Sequence, residues 1–428
     1  MTVEAITGGQ WGDEGKGKII DLLAKRAKIV VRFSGGDNAG HTVINHYGKF
    51  QLHLVPSGIF YPQVTCIIGN GVAINPAVFL KEIDGIQNHG VDTNHLFISD
   101  RAHLIMPYHI ILDGLEEERL SKGALGTTRR GIGPAFADKV ARLGIRVGDL
   151  LNKDLFLKRL SSVLELKNSI LTKVYQSSPL SLEEIYTQYC QYGEQLTPFI
   201  RETSSMIHEA MSNGESILLE GAQGAMLDPD FGTYPYVTSS SPLAGAGTIG
   251  TGIGPIKINR AVGVFKAYIT RVGEGPMPTE LKDEIGALIR EQAHEYGATT
   301  GRPRRCGWFD AVVGRFSVQI NGYSDIALTH LDIYDGFPSI KICTAYKFNG
   351  EILTSFPSDL TILEKCQPIY EELAGWTEST SEIRTFEKLP EGARNYIAKL
   401  ETLLSCPINL VSVGAERGQI LEQKLIFP

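Results

Sequence analysis

No stretch of about 18 consecutive apolar residues occurs in this chain, so no helix that spans a bilayer is expected. The first residues run straight into a β-prone segment without the basic-then-apolar pattern of a secretory leader, which points away from export. Cysteine is scarce and scattered: Cys66, Cys190, Cys306, Cys343, Cys366 and Cys406 contain no C-x-x-C pair, as expected of reduced thiols in a cytoplasmic protein. Basic charge is in deficit, with 41 Lys and Arg against 48 Asp and Glu and a net charge of −7. That balance speaks against a nucleic-acid surface, so a phosphate ligand is expected to be a mononucleotide gripped by local Arg and Lys. What remains is a globular chain of 428 residues, 43% hydrophobic and 21% charged, long enough for a large core.

Glycine is where the chain is rich. Gly8-Gly-Gln-Trp-Gly-Asp-Glu-Gly-Lys-Gly-Lys18 packs five glycines, two lysines and two carboxylates between a short β-prone run, Val3 to Thr7, and the helically spaced Ile19 to Leu23. A loop of this kind delivers backbone N–H groups and a helix N-terminus to one point, which suits a phosphate. Gly12 to Lys18 satisfies G-x-x-x-x-G-K, yet Ile19 stands where the Ser or Thr that holds Mg²⁺ is expected. Asp13 is then the nearest carboxylate for a hard cation. A strand, Lys28 to Phe33, leads into a second glycine loop, Ser34-Gly-Gly-Asp-Asn-Ala-Gly-His-Thr42, and this βαβ rhythm predicts neighbouring parallel strands with both loops at their carboxyl ends. His41 titrates near neutrality and Asn38 carries a donor-acceptor amide.

Further along, the pattern predicts a hairpin over Val43 to His53, a strand over Val64 to Ile74 interrupted at Gly69-Asn-Gly71, a helix from Ala77 to Asn88 and a strand from Leu96 to Ser99. Leu125-Gly-Thr-Thr-Arg-Arg-Gly-Ile-Gly-Pro134, followed by Asp138 to Arg142, suits an oxyanion. Residues 151–213 are Leu-, Glu-, Lys- and Ser-rich at helical spacing and read as a helical insertion. Strand pattern returns at Ser216 to Leu219 and ends in Glu220-Gly-Ala-Gln-Gly224, with Gly232 to Ser240 after it. Gly245 to Gly254 reads as a flexible loop, Ala261 to Tyr268 as a strand and Leu281 to Tyr296 as an amphipathic helix. Arg302, Arg304 and Arg305 form an anion-binding cluster in a loop that closes on a ligand, residues 298–305 being expected to be mobile. Ile326 to Asp332 reads as a strand ending in a carboxylate that can accept from a purine ring N–H and an exocyclic amine together. A hairpin near Asn349-Gly350, a helix near Ala393 to Leu404 and a last strand, Ile408 to Ser412, close the chain.

Two classes fit these residues: an enzyme that moves a phosphoryl group to a second substrate, and a switch protein that hydrolyses GTP to change partners. The anion-binding stretches outnumber what one nucleotide needs, which favours the enzyme. From Gly8 to about Gly418 the chain resembles the adenylosuccinate synthetase family, on Gln10 to Lys18, Gly36 to Thr42, Gly126-Thr-Thr with Gly131 to Pro134, Glu220 to Gly224, Gly232 to Ser240, and Thr299 to Arg302 with Arg304 and Arg305. The resemblance implies a large, mostly parallel α/β sheet with a P-loop-like phosphate loop, flanking helices, the helical insertion and small antiparallel hairpins, in one elaborated domain over residues 1–428.

It also implies an activity: GTP, IMP and L-aspartate give adenylosuccinate, GDP and phosphate through 6-phosphoryl-IMP, with Mg²⁺ as cofactor. Asp13, His41 and Gln223 match the family's catalytic positions, Asp13 as base and metal ligand, His41 as acid and Gly40 as a carbonyl ligand to the metal. The GTP side is matched by Gly12, Asp13, Glu14, Gly15, Lys16, Gly17, Lys18, Gly40, His41, Thr42, Arg304, His330, Leu331, Asp332, Ser412, Val413 and Gly414. IMP contacts fall on Asp13, Lys16, Asn38, His41, Thr128, Arg142, Gln223, Thr238 and Arg302, with Arg142 given by the other subunit of a homodimer. Ala298, Thr299, Thr300, Gly301, Arg302 and Arg304 match the loop that closes on aspartate. Two positions depart from the family: Asp37 replaces a common histidine, a change read as peripheral, and His330 replaces the lysine of the guanine motif. A related ligase acting on dGMP is the alternative within the superfamily, and those relatives are implied to lack the loop aspartate that Asp13 supplies here.

Overall fold

The computed structural model describes residues 2–121, 125–296 and 303–423. Ten strands form one sheet: β1 (Val3–Gly8), β2 (Ile29–Arg32), β3 (Thr65–Ile68), β4 (Leu96–Ser99), β5 (Ile200–Arg201), β6 (Ile217–Gly224), β7 (Arg260–Lys266), β8 (Asp325–Thr329), β9 (Ile408–Ser412) and β10 (Ile420–Glu422). Across the sheet they run β10-β9-β8-β7-β1-β6-β2-β3-β4-β5, and every neighbouring pair is parallel except β9 with β10. The expected α/β architecture with a large, mostly parallel sheet is therefore present. The short antiparallel hairpins are there too, His41–Asn45 with Gly48–Leu52 and Ser339–Phe348 with Glu351–Leu353.

Continuous apolar strands such as Ile-Val-Val in β2 suit a sheet covered on both faces. Val3 and Ala5 of β1 enter one core cluster, whereas Ile6 faces a second, with Ile19, Ile20, Leu23 and Ala24. Those four residues are the apolar stripe of the helix Lys16–Ala24, which follows the phosphate loop directly and covers β1, β6 and β2. The loop is thus fixed at both ends by buried structure.

The structure corrects several local expectations. β1 and β2 are not neighbours, because β6 lies between them with Ile6 opposite Glu220 and Glu220 opposite Arg32. The glycine-rich stretch at 245–254 contains a helix, Ala246–Thr251, because packing overrides its weak propensity: a Cβ on Gly250 would collide with the Phe33 carbonyl, so glycine serves close approach there. The helix expected over 281–296 is shorter, Glu284–Gln292, begun by the Asp283 carboxylate accepting from the Gly286 amide at 3.0 Å. β8 stops at Thr329, and β9 is followed by the antiparallel β10. Residues 153–212 hold the helices Lys153–Lys173, Leu182–Leu196 and Thr203–Ser212, but β5 among them extends the main sheet, and Ile207, Ala210 and Met211 join its core.

Candidate active site

The carboxyl ends of β1, β6, β2, β7, β8 and β9 open on one edge, where parallel α/β sheets bind ligands. At the end of β1 the phosphate loop turns through three left-handed residues, Gly12, Asp13 and Gly15, with φ of 89°, 59° and 80°. Glu14 points inward instead of toward solvent. Its buried carboxylate accepts from the amides of Gln10 at 3.1 Å and Gly12 at 2.8 Å and from Lys16 Nζ at 2.5 Å. Some donors that the sequence gives to phosphate are therefore taken by the protein's own carboxylate, and Glu14 acts as an internal strut. The amides that open the helix at Lys16 keep no intrahelical partner, as at any helix start. Asp13 is directed outward, 35% exposed, with Oδ2 at 3.1 Å from Arg304 Nη2.

The second glycine loop is brought alongside. His41 lies against the first turn of the helix Lys16–Ala24, where a Cβ on Gly17 would stand only 2.8 Å from the imidazole Cδ2, so this contact requires glycine. His41 Nε2 is 2.8 Å from Ser57 Oγ and 3.5 Å from Glu220 Oε1. Burial, together with Arg32 and Lys16 nearby, holds the ring well below the usual imidazole range, so His41 is neutral here. Glu220, placed between the loops by β6, accepts from Arg32 at 3.1 Å and from the Ser57 amide at 2.9 Å. The sequence reading ends this strand at Leu219, but it runs on to Gly224, which places Glu220 inside β6; its partners Arg32 and Ser57 carried no local signal.

Gln223 sits at a left-handed φ of 55° and donates through Nε2 to Asn38 Oδ1 at 3.2 Å, which joins two of the expected IMP residues. Asp37, read as peripheral, is buried: its carbonyl accepts from Arg130 at 2.9 Å, and burial pushes its carboxyl up to about 6. Arg130 thereby ties the segment of Thr128 to this loop. The same segment is held from behind by Glu117, which accepts from Leu125 and Gly126, and by Asp113, which accepts from Thr127 and Gly131. Thr128 itself is exposed. Arg142 is placed elsewhere, as the exposed left-handed cap at the far end of the helix Ile132–Ala141. Ten helical residues carry it about 15 Å from Gly131.

On the other side, Lys18 does not reach toward the phosphate loop; its Nζ donates to Ser412 Oγ at 2.8 Å and to the carbonyls of Gly414 at 2.7 Å and Gln419 at 3.3 Å. Burial lowers this lysine to about 8. Asp332 stands three residues beyond β8, in the short 3₁₀ turn Leu331–Tyr334, and burial raises its carboxyl to about 6. His330, left-handed at φ 57°, places Nε2 3.5 Å from where a Cβ on Gly15 would lie, with its ring edge-on to Tyr268 at 6.0 Å. Burial, with Lys266 nearby, lowers it to about 4. The arginine cluster divides. Arg305 is a structural residue, forked onto Glu280 at 2.9 and 2.6 Å, while Arg304 faces Asp13. Ala298, Thr299, Thr300, Gly301 and Arg302 lie outside the described residues.

Around this edge Gln223 Oε1, Thr238 Oγ1, Ser240 Oγ, Arg304 Nε and Asp332 Oδ1 are buried with no hydrogen-bond partner among the described residues. An unsatisfied buried polar group costs about 1–3 kcal/mol, so a polar ligand bound along this edge would satisfy atoms that the protein leaves unpaired. Residues 5–421 match the adenylosuccinate synthetase family. The chain belongs to that family. It is 60% identical to the adenylosuccinate synthetase of Dehalococcoides mccartyi over 421 residues, covering 98% of this chain and all of that one. A fully ligated adenylosuccinate synthetase from Plasmodium falciparum superposes with a TM-score of 0.93 at 39% identity, covering 99% of this chain and 100% of that one. The cyanophage S-2L succinoaminodeoxyadenylate synthetase, bound to dGMP and dATP, has a TM-score of 0.62 at 19% identity over 98% and 95% of the two chains, and so shares the fold. As a member of the adenylosuccinate synthetase family the protein is an enzyme, a GTP-dependent ligase, and the switch-protein reading is set aside. Among the described residues no helix is long and apolar enough to cross a membrane.

Proposed function

We propose that this enzyme joins L-aspartate to IMP with GTP, in the AMP branch of purine biosynthesis in the cytoplasm, through 6-phosphoryl-IMP. The observation that carries the reading is Asp13: a lone outward carboxylate within the phosphate loop, beside the helix start and facing Arg304. The hypoxanthine O6 leaves poorly as it stands. When Asp13 accepts the N1 proton, O6 becomes nucleophilic and attacks the γ-phosphorus of GTP, and the bond to the β-γ bridging oxygen breaks to release GDP. The aspartate amine then adds at C6 as the C6–O6 bond breaks, and phosphate departs with the O6 oxygen and the proton that the amine gives up. For Asp13 to act as base, its ion pair with Arg304 opens, which frees the guanidinium for the incoming anions.

His41, neutral before substrate arrives, supports the transfer by donating an N–H to phosphoryl oxygens, and becomes cationic as their charge offsets the burial that now holds it neutral. Lys16 exchanges Glu14 for phosphate oxygens, and Asn38, Gln223 and Thr238 orient IMP through the polar atoms named above. The Asp13 carboxylate and the Gly40 carbonyl suit Mg²⁺, a hard ion that takes few protein ligands and fills its shell with phosphate oxygens and water. Bound there, it neutralises phosphate charge. The dGMP reading rests on the shared fold alone. A coupled assay with IMP, GTP, Mg²⁺ and aspartate, each omitted in turn, tests the reading: adenylosuccinate absorbance appears only with all four. Absorbance that develops without aspartate, or none with the full set, overturns it.

Asp332 selects guanine in this reading, because its carboxylate accepts from N1–H and the 2-amino group together, whereas adenine turns an unprotonated N1 toward it. A mismatch of that kind costs ~1 to 3 kcal/mol. The His330 ring replaces the apolar stem of the family's lysine, so GTP remains preferred. In competition kinetics ITP, which lacks the 2-amino group, should fall between GTP and ATP. Equal use of ATP and GTP would reduce Asp332 to a cap of its turn.

Arg142 is read as reaching the IMP site of the second subunit in a homodimer. Its place at the distal end of the helix Ile132–Ala141 supports this, since about 15 Å of helix separates it from its own chain's loops. Arg142→Leu should raise KM for IMP by about ten- to a hundred-fold, the value of a charge-assisted phosphate contact, and leave KM for GTP unchanged. Mixing this variant with an inactive Asp13 variant should restore activity through one intact shared site. No recovery despite demonstrated subunit exchange would remove the shared-site reading.

A further inference from the structure

Arg304 is gripped from its buried side by groups to which the reaction above gives no role. Glu295 is 2% exposed, and its carboxylate accepts from Lys266 Nζ, from Tyr268 Oη at 2.7 Å and from Arg304 Nη1 at 2.7 Å. The Arg304 amide also donates to the Glu295 carbonyl at 2.9 Å, so backbone and side chain are fixed together. Lys266 is 1% exposed and donates in addition to Thr270 Oγ1 at 2.8 Å. Its backbone is locked to the phosphate loop through Gln10, whose Oε1 accepts from the Lys266 amide at 3.0 Å and whose Nε2 donates to the carbonyls of Lys266 at 3.3 Å and Tyr268 at 3.2 Å.

We propose that Glu295 is a positioning residue for Arg304, which it anchors by one arm of the guanidinium so that the other donors stay aimed at the substrate side. An arginine fork carries five N–H donors in a rigid plane. Glu295 occupies Nη1, Nη2 meets Asp13 at 3.1 Å, and Nε is buried with no partner among the described residues. Without the anchor, the long side chain is free to turn its whole fork onto Asp13 and sequester the carboxylate that the reaction needs. Burial alone would raise the Glu295 carboxyl, but Lys266 and the three hydrogen bonds outweigh it and hold the group down at about 2, so the anchor stays anionic wherever the enzyme works. Lys266 and Tyr268 serve Glu295, and Glu295 serves Arg304. The inference rests on the reading that Arg304 meets GTP and aspartate.

The test compares Arg304→Leu, Glu295→Asp and the double variant Glu295→Met with Lys266→Met. Removing Glu295 alone would leave the Lys266 charge buried and unpaired, whereas replacing both charges by apolar side chains of similar volume is often neutral for stability. The double variant should melt within a few degrees of the wild type, while KM for aspartate and GTP rises by about ten- to a hundred-fold, as for a lost charge-assisted contact, and kcat falls as Arg304 sequesters Asp13. Glu295→Asp keeps a charge against Lys266 but withdraws it from Arg304 by one methylene, and should move the same two constants in the same direction. Wild-type constants in a folded double variant, or in Glu295→Asp should the double variant not fold, overturn the positioning role. If Arg304→Leu raises both constants and the Glu295 variants do not, Arg304 keeps its role and Glu295 loses its own. If Arg304→Leu itself leaves them unchanged, the reading of Arg304 is what fails.

Discussion

Asp13→Asn is expected to lower kcat by ~10² to 10⁴, the usual contribution of a positioned general base, with the fold intact. The side chain is 35% exposed and carries no core packing, and asparagine is among the few residues that tolerate the left-handed conformation held at this position, φ 59°. The variant keeps the amide geometry of the loop and loses the proton acceptor, the outward carboxylate for a metal ion and the ion pair to Arg304. Arg304 keeps Glu295, so the substitution does not strand a charge. The Mg²⁺ requirement should rise together with the fall in kcat, and the melting temperature should stay near that of the wild type. Wild-type turnover at saturating Mg²⁺ would remove both the base and the metal-ligand assignments.

His41→Asn should have an effect of similar size, ~10² to 10⁴ in kcat, if the ring meets the transferring phosphoryl group. Asparagine is too short to replace Nε2, but Ser57 and Glu220 stay paired with each other, through the Ser57 amide at 2.9 Å and its hydroxyl at 3.4 Å, so stability should change little. Because the ring is neutral before phosphate arrives, its contribution grows as charge develops, and the loss belongs in kcat more than in KM for IMP. A variant with wild-type kcat and a raised KM for GTP would make His41 a ground-state contact to the nucleotide and not a participant in the transfer.

Much of this site was legible before any coordinates. The phosphate loop announces itself through glycines and lysines at fixed spacing between a strand and a helix, because left-handed turns and helix starts have local sequence requirements. The strands β1, β2, β4 and β9 were read within a residue or two, since short runs dominated by apolar residues between turn signals need no distant information. Motif order along nearly the whole chain was enough to name the family.

What the sequence determined by itself, then, is the set of local parts: where many of the strands lie, which loops have the glycines of an anion cradle, and where the carboxylates, amides and arginines of the proposed site stand along the chain. Only the tertiary structure decided how those parts are spent. It inserted β6 between β1 and β2, so that Glu220 meets Arg32 from 188 residues away. It turned Glu14 into the loop and Lys18 onto Gly414, 396 residues distant, where the family resemblance had put both on the GTP side. It made a helix of the glycine stretch at 246–251, and it separated two adjacent arginines, one onto Glu280 and the other between Asp13 and Glu295. The reason is physical: spacing along a chain fixes the turn and the period, but a buried charge settles on whichever opposite charge the strand register brings within about 3 Å, and register is set by the packing of the whole sheet.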